Sequence, residues 1–145
     1  MMDIRMLQAG DLSQLAVLYG ELVEEKSSPE AMRSTFEKMA SDENYHLLGA
    51  FENGRLAGSL MGVICEDLIG ECRPFMVIEN VIVSEAFRGK KAGKLLMQEA
   101  ERIARERRCG YALLVSSGFR KEAHAFYESL GYTEDVRGFR RRLVL

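Results

Sequence analysis

The stretch from Phe75 to Glu106 constrains this chain more than any other. Phe75 to Val83 is a nearly continuous apolar run, interrupted by Glu79 and Asn80. Such a run suits a strand covered on both faces. A glycine- and lysine-rich turn, Gly89 to Lys94, leads it into a long segment where Ala92, Leu95, Leu96, Ala100, Ile103 and Ala104 recur at helical spacing. Glu99, Glu101, Arg102, Arg105 and Glu106 form the wet face of that helix. Cys109-Gly110 ends it, with arginines in the last turn where the helix dipole favours cations. Tyr111 to Val115 follows as another strand. Strands and a helix alternating in this way call for a sheet with helices packed on it.

The remainder supplies further elements. Ile4 to Leu7 reads as a short opening strand, and Asp11 is placed to cap a helix with apolar positions Leu12, Leu15, Ala16, Tyr19, Leu22 and Val23. Ser27-Ser28-Pro29-Glu30 breaks the chain and restarts it, with proline in the first turn of a helix that runs through Met32, Phe36 and Met39 toward Ser41. Tyr45 to Phe51 and Leu56 to Cys65 are strands joined at Asn53-Gly54, a hairpin signal because both residues tolerate positive φ. Ala123, Phe126, Tyr127 and Leu130 define a short helix stopped at Gly131. Tyr132 to Val136 and Phe139 to Leu145 read as a final pair of strands around Arg137-Gly138. With 145 residues, no repeat and no linker, the expectation is a single α/β domain over 1–145. It has a mixed central sheet of six to seven strands and about four helices.

Composition excludes several classes. Hydrophobic residues at 47% and charged residues at 29% describe a globular chain rather than a disordered one. No apolar run approaches the roughly 18 residues of a membrane span, and MMDIRMLQAGD lacks a basic-then-apolar signal, so a cytoplasmic protein without a membrane partner is expected. Three cysteines, Cys65, Cys72 and Cys109, form no C-x-x-C pair, and His46 and His124 lie far apart. Neither a disulfide framework nor a metal site is expected. A net charge of −2 argues against a nucleic-acid partner.

The chemistry concentrates between Val81 and Leu96. A buried strand that turns into a helix N-terminus presents amide N–H groups with no acceptor inside the helix, and these amides and the helix dipole bind anions. Arg88, Lys90, Lys91 and Lys94 add positive charge, and Gly89 and Gly93 admit a phosphate close to the backbone. The ligand this implies is a phosphate, a diphosphate foremost. A Walker loop does not fit: Gly89 to Lys94 is one residue short, and Leu95 has no hydroxyl for magnesium. A dinucleotide-binding G-x-G-x-x-G is absent. Two side chains nearby draw notice. Glu79 interrupts an apolar strand, where burying an unpaired carboxylate costs several kcal/mol, so it reaches solvent, pairs with an arginine, or serves chemistry. By periodicity Tyr127 is a core aromatic of its helix.

Arg88-Gly89-Lys90-Lys91-Ala92-Gly93 resembles the acyl-CoA loop of the GNAT superfamily of N-acetyltransferases, which reads Gln/Arg-x-x-Gly-x-Gly/Ala. Arg88 fills the first position and Gly93 the last, while Lys91 stands where the family usually has its first glycine. Glu79 to Arg108 resembles the family's fourth strand and third helix. The Ala123-x-x-Phe126-Tyr127-Glu128-x-Leu130-Gly131-Tyr132 segment resembles the helix and strand start that follow, so the likeness covers essentially the whole chain.

This resemblance implies a cleft for acetyl-CoA, as cosubstrate, where the fourth and fifth strands part. Its pyrophosphate would lie on the amides of Arg88, Gly89, Lys90, Lys91, Ala92, Gly93 and Lys94. Its pantetheine arm would pair near Ile82 and Val83, with an N–H near Val83 polarising the thioester carbonyl. An amine attacks directly. Tyr127 falls on the family's tyrosine that protonates CoA sulfur, and Glu79 is the candidate base, acting directly or through water. Asn80, on the opposite face, reads as structural, and so does His124. Arg120 stands where many members carry a CoA-contacting asparagine. Homodimers are common in the family, and the terminal strands with Arg140-Arg141-Arg142 are placed to contribute to one.

The charge is unevenly divided. Residues 1–80 carry 6 Lys/Arg against 14 Asp/Glu, a balance of −8, and residues 81–145 carry 14 against 8, a balance of +6. The split is read either as two differently charged solvated faces or as an acidic first half, comprising the first two helices and the loop around Glu66, Asp67 and Glu71, that suits a cationic amine acceptor, and charge counts alone do not choose between them. Two other readings stand beside the acetyltransferase: a non-catalytic acyl-CoA-binding sensor or regulatory module, and an enzyme that uses a longer acyl donor.

Overall fold

The computed structural model describes residues 1–115 and 121–144. They fall into two compact units, Met1–Leu113 and Leu114–Leu145. In the first, the elements run β1 (Asp3–Met6), α1 (Leu12–Tyr19), α2 (Pro29–Ala40), β2 (Tyr45–Glu52), β3 (Arg55–Cys65), β4 (Phe75–Val83) and α3 (Ala92–Glu106), and β5 (Ala112–Leu114) closes the order β1-β2-β3-β4-β5. The first four strands are antiparallel neighbours. Beside β4, Gly110 N–H donates to the Pro74 carbonyl at 2.8 Å and Met76 N–H to the Tyr111 carbonyl at 3.0 Å. Both chains advance together through these bonds, so β5 runs parallel to β4 and the sheet is mixed.

Local chemistry explains most boundaries. Asn53 and Gly54 take φ of 51° and 78°, the left-handed pair a two-residue hairpin needs, and Glu52 faces Arg55 across it. Ser28 caps α2 by accepting from Ala31 N–H at 3.3 Å, with Pro29 at the first helical position, where no N–H is required. Asp11 does not cap α1 through its side chain as the sequence suggested. Its carboxylate instead takes two bonds from Arg5, at 2.8 and 3.0 Å, and one from Gln8 N–H at 2.7 Å. The Arg5 guanidinium holds this largely buried carboxyl below its ordinary range, against the opposing effect of burial. Helix α1 also stops earlier than its periodicity implied: Gly20, Leu22 and Val23 fold into a terminal turn on Val17 and Tyr19.

The helices cover the sheet. Leu15 and Leu18 of α1 join Leu47, Phe51, Leu56 and Ile82 in one cluster, flanked by Met32, Phe36 and Met39 of α2. Helix α3 buries Ala92, Gly93, Leu96, Met97, Ala100 and Ala104. No helix among the described residues is long and apolar enough to cross a membrane.

The second unit holds α4 (Lys121–Ser129), which ends at Gly131 with φ 101°. The expected strands Tyr132–Val136 and Phe139–Leu145 are a correction. Residues 133–144 carry no strand, Leu145 lies outside the described residues, and among the described residues the sheet has five strands rather than six to seven. Val136, Phe139, Leu143 and Val144 are exposed. The physical reason is that β-branched and aromatic residues favour a strand only where a neighbour supplies a ladder and a covered face. Here the charges of Arg140, Arg141 and Arg142 interrupt any apolar alternation.

Candidate functional site

Strand β4 is where regular pairing fails. Ser59 faces Ile82 and Met61 faces Glu79, so Leu60 of β3 opposes two residues, Asn80 and Val81. This is a β-bulge, and Asn80 takes a left-handed φ of 56° to make it. The bulge breaks the inside–outside alternation, leaving both Glu79 and Asn80 exposed. Glu79 thus reaches solvent, four residues before Val83, which leaves its part in the chemistry open to either reading. The Asn80 side chain lies near the Tyr19 phenol, whose burial pushes its pKa up. The sequence marked Asn80 only as structural. Its signal was an asparagine, a residue tolerant of positive φ, inside an apolar strand.

Beyond the bulge the strand offers an edge. Ser84 N–H donates to Ala57 carbonyl at 2.8 Å, and Gly58 lies opposite Val83. Amides alternate sides along a strand, so the Val83 N–H faces away from β3. β5 ends at Leu114, and the bonds that lead into it, from Gly110 N–H to Pro74 and from Met76 N–H to Tyr111, lie at the start of β4. Gly58 permits this approach. A Cβ there would sit 2.9 Å from the Ile82 carbonyl oxygen.

The chain then makes a 3-10 turn, Glu85–Phe87, with Phe87 buried. Arg88 is exposed, with its guanidinium 3.9 Å from Glu85. Gly89 adopts φ 84°, and a side chain there would meet nothing. Lys90 donates to Glu52 at 3.0 Å, so part of its charge is already balanced. Lys91 takes φ 66°, the conformation a glycine would adopt freely, and starts α3 with no side-chain cap. The N–H groups of Ala92, Gly93 and Lys94 open the helix, and its first turn contains no acidic residue. A strand edge and a cationic, uncapped helix head therefore lie on one continuous segment. Donors and charges of this kind fit an extended diphosphate-bearing ligand.

Ile82, Val83 and Arg88 to Lys94 are brought together here, with Glu79 on the same strand. Tyr127 belongs to the second unit, where it is buried in α4, with ring centroids 5.3 Å from Phe126 and 6.4 Å from Tyr132. Arg120 lies outside the described residues. No group of three or more His, Cys, Asp or Glu placed to hold a metal occurs among the described residues. Two open grooves lie apart from this segment. One of about 680 Å³ runs between α1 and α2, lined by Leu12, Ala16, Met32 and Arg33. The other, of about 670 Å³, is lined by Glu66, Glu71, Arg73, Arg107 and Cys109.

Comparison with known proteins bears on the same segment. The family model described as "Acetyltransferase (GNAT) family" matches residues 12–132. An aminoalkylphosphonate N-acetyltransferase of Salmonella typhimurium is 26% identical over 141 residues, covering 97% of this chain and 91% of that protein. A glucosamine 6-phosphate N-acetyltransferase of Trypanosoma brucei brucei is 28% identical over 141 residues, covering 96% and 94%. The crystal structure of a Trypanosoma brucei acetyltransferase superposes with a TM-score of 0.86 at 27% identity, over 99% of this chain and all of that one. With the matched region spanning both the β4 edge and the head of α3, the chain belongs to the GNAT family of acetyltransferases.

Proposed function

We propose that this protein moves an acetyl group from acetyl-CoA directly to a primary amine. The observation that carries the reading is the pairing of an outward amide at Val83 with an uncapped, cationic helix head nine residues further on. In this reading the amides of Gly89 and of Lys91 to Lys94 donate to the pyrophosphate, those of Arg88 and Lys90 already bonding the Glu85 and Phe87 carbonyls, with Arg88, Lys91 and Lys94 supplying charge. Ile82 and Val83 hold the pantetheine arm as an added strand would be held.

Val83 N–H then donates to the thioester oxygen, where negative charge grows as the amine nitrogen bonds to the carbonyl carbon. Glu79 takes the proton of the ammonium, and its exposure leaves room for a relaying water. Tyr127 gives its phenolic proton to sulfur as the carbon–sulfur bond breaks, and the second proton shed by the acylated nitrogen returns to the phenolate through water while Glu79 releases its own to solvent, so the products are an N-acetylated amine and CoA thiol. The −8 balance of residues 1–80 supports a cationic acceptor. The names of the two relatives, by contrast, specify amines that also carry phosphonate or phosphate.

Calorimetric titration with acetyl-CoA tests the donor half of the proposal, and micromolar binding is expected. CoA-thiol release across a panel of polyamines, lysine peptides and amino sugar phosphates tests the acceptor half. Binding without turnover on any amine would replace the enzyme with an acyl-CoA-binding module.

A further inference from the structure

We infer that the C-terminal turn of α1 clamps the donor edge of β4, with Glu21 as the positioning residue. Glu21 is rigidly presented. Its own N–H donates to Leu18 carbonyl at 3.0 Å, and Gly20, Leu22 and Val23 bond back onto Ala16, Val17 and Tyr19. Each oxygen of its carboxylate has one partner 63 or 64 residues away: Oε2 accepts from the Ser84 hydroxyl at 3.0 Å, and Oε1 from Glu85 N–H at 3.0 Å. Two positions earlier on the same turn, Tyr19 lies near the Asn80 side chain. The two positions bracket Val81 to Val83, one at the bulge and one where the strand leaves the sheet.

The bracketed segment needs such a restraint. Its Val83 amide faces away from β3, and the bulge offsets the pairing just before it. The turn that follows contains two left-handed residues, Gly89 and Lys91. A link of this kind, free to move, would lose its freedom on binding a donor and weaken that binding. Glu21 removes the loss beforehand by fixing Ser84 and Glu85. Its effect belongs to donor affinity rather than to stability, because the contact is exposed and adds no core.

The inference rests on the acetyl-CoA reading, and its test separates the two. Acetyl-CoA is titrated into wild type, Glu21→Ala, Glu21→Gln, Ser84→Ala, the Glu21→Ala/Ser84→Ala double variant and the control Glu24→Ala. Thermal unfolding and amide hydrogen exchange are recorded on each protein without ligand. The expected result for Glu21→Ala is a Kd about five- to tenfold above wild type, with unchanged melting temperature and faster exchange confined to Val81–Arg88. Ser84→Ala should cost about twofold and add nothing to Glu21→Ala, and Glu21→Gln should recover part of the loss through its remaining acceptor oxygen. Wild-type affinity in Glu21→Ala, or losses that multiply in the double variant, would overturn the clamp. If wild type fails to bind acetyl-CoA, the donor reading falls, and the exchange data alone decide whether Glu21 holds Ser84 and Glu85.

Discussion

Helices α2 and α3 begin in opposite ways. At α2 the orphan donors are satisfied from within: Ser28 accepts from Ala31 N–H, Pro29 removes a donor, and Glu30 places a carboxylate in the first turn. At α3 the N-cap is a left-handed lysine with no side-chain bond, the first turn has no acid, and Arg88, Lys91 and Lys94 surround it. A helix that ends its own hydrogen-bond chain is finished as a structural element. One that leaves its positive end open, and adds cations rather than anions, is stabilised only when an anion arrives. The difference separates a helix that supports the fold from one that serves a ligand.

The sharpest way to break this comparison is to give α3 the acid that α2 already has. Lys94→Glu should lower acetyl-CoA affinity by about a hundredfold, since it reverses a charge near a diphosphate. The same change should raise unliganded stability by about 0.5 kcal/mol by complementing the dipole. Titration calorimetry and urea unfolding read the two opposite signs. Equal affinity in the variant would show that the head of α3 is not the anion site.

Removing the cap from α2 should do the reverse. Ser28→Ala is expected to cost about 1 kcal/mol in urea unfolding and to leave acetyl-CoA affinity unchanged. A loss of affinity would mean that the two helices are not separate in role. Lys91→Gly sharpens the contrast at the cap itself. A left-handed lysine costs about 1 kcal/mol relative to glycine, so the variant should be more stable by about that amount. If it is less stable, Lys91 makes a contribution that outweighs its strain.

The smallest effect lies at the other end of α3. Burial, with the Arg107 charge beside it, lowers the pKa of the half-buried His46, whose Nε2 has no partner among the described residues. Folded His46 therefore resists protonation more than the unfolded chain does. Its contribution is complete above pH 6.5 and is lost as pH falls below it. His46→Leu should flatten unfolding free energy between pH 7 and 5, and an unaltered slope would assign it to other groups.

Much of this was legible in the sequence because it is local. Asn53-Gly54 announces its turn through backbone tolerance, Ser28-Pro29 announces a helix start, and the Ala92-to-Ala104 stripe announces the face that packs. The Arg88-to-Lys94 turn announces anion chemistry through its glycines, its cations and its place before a helix. Other features depended on partners distant in sequence. Asp11 had the chemistry of a cap, but Arg5 and Gln8 N–H took its oxygens. The apolar residues after Tyr132 had strand composition without a ladder.

By itself the sequence determined the strands and helices before the C-terminal segment, where two turns lie, and that a cationic glycine turn heads α3. These follow from φ preferences and from periodicities of two and 3.6 residues, which act within a few positions. Only the tertiary structure decided that β4 bulges at Asn80, that Val83 turns its amide away from β3, and that Glu21 reaches Ser84 and Glu85. Those outcomes depend on strand register and on which element packs beside which. Such choices are settled by burying a common core, because no residue carries in its own neighbourhood the identity of a partner sixty positions away.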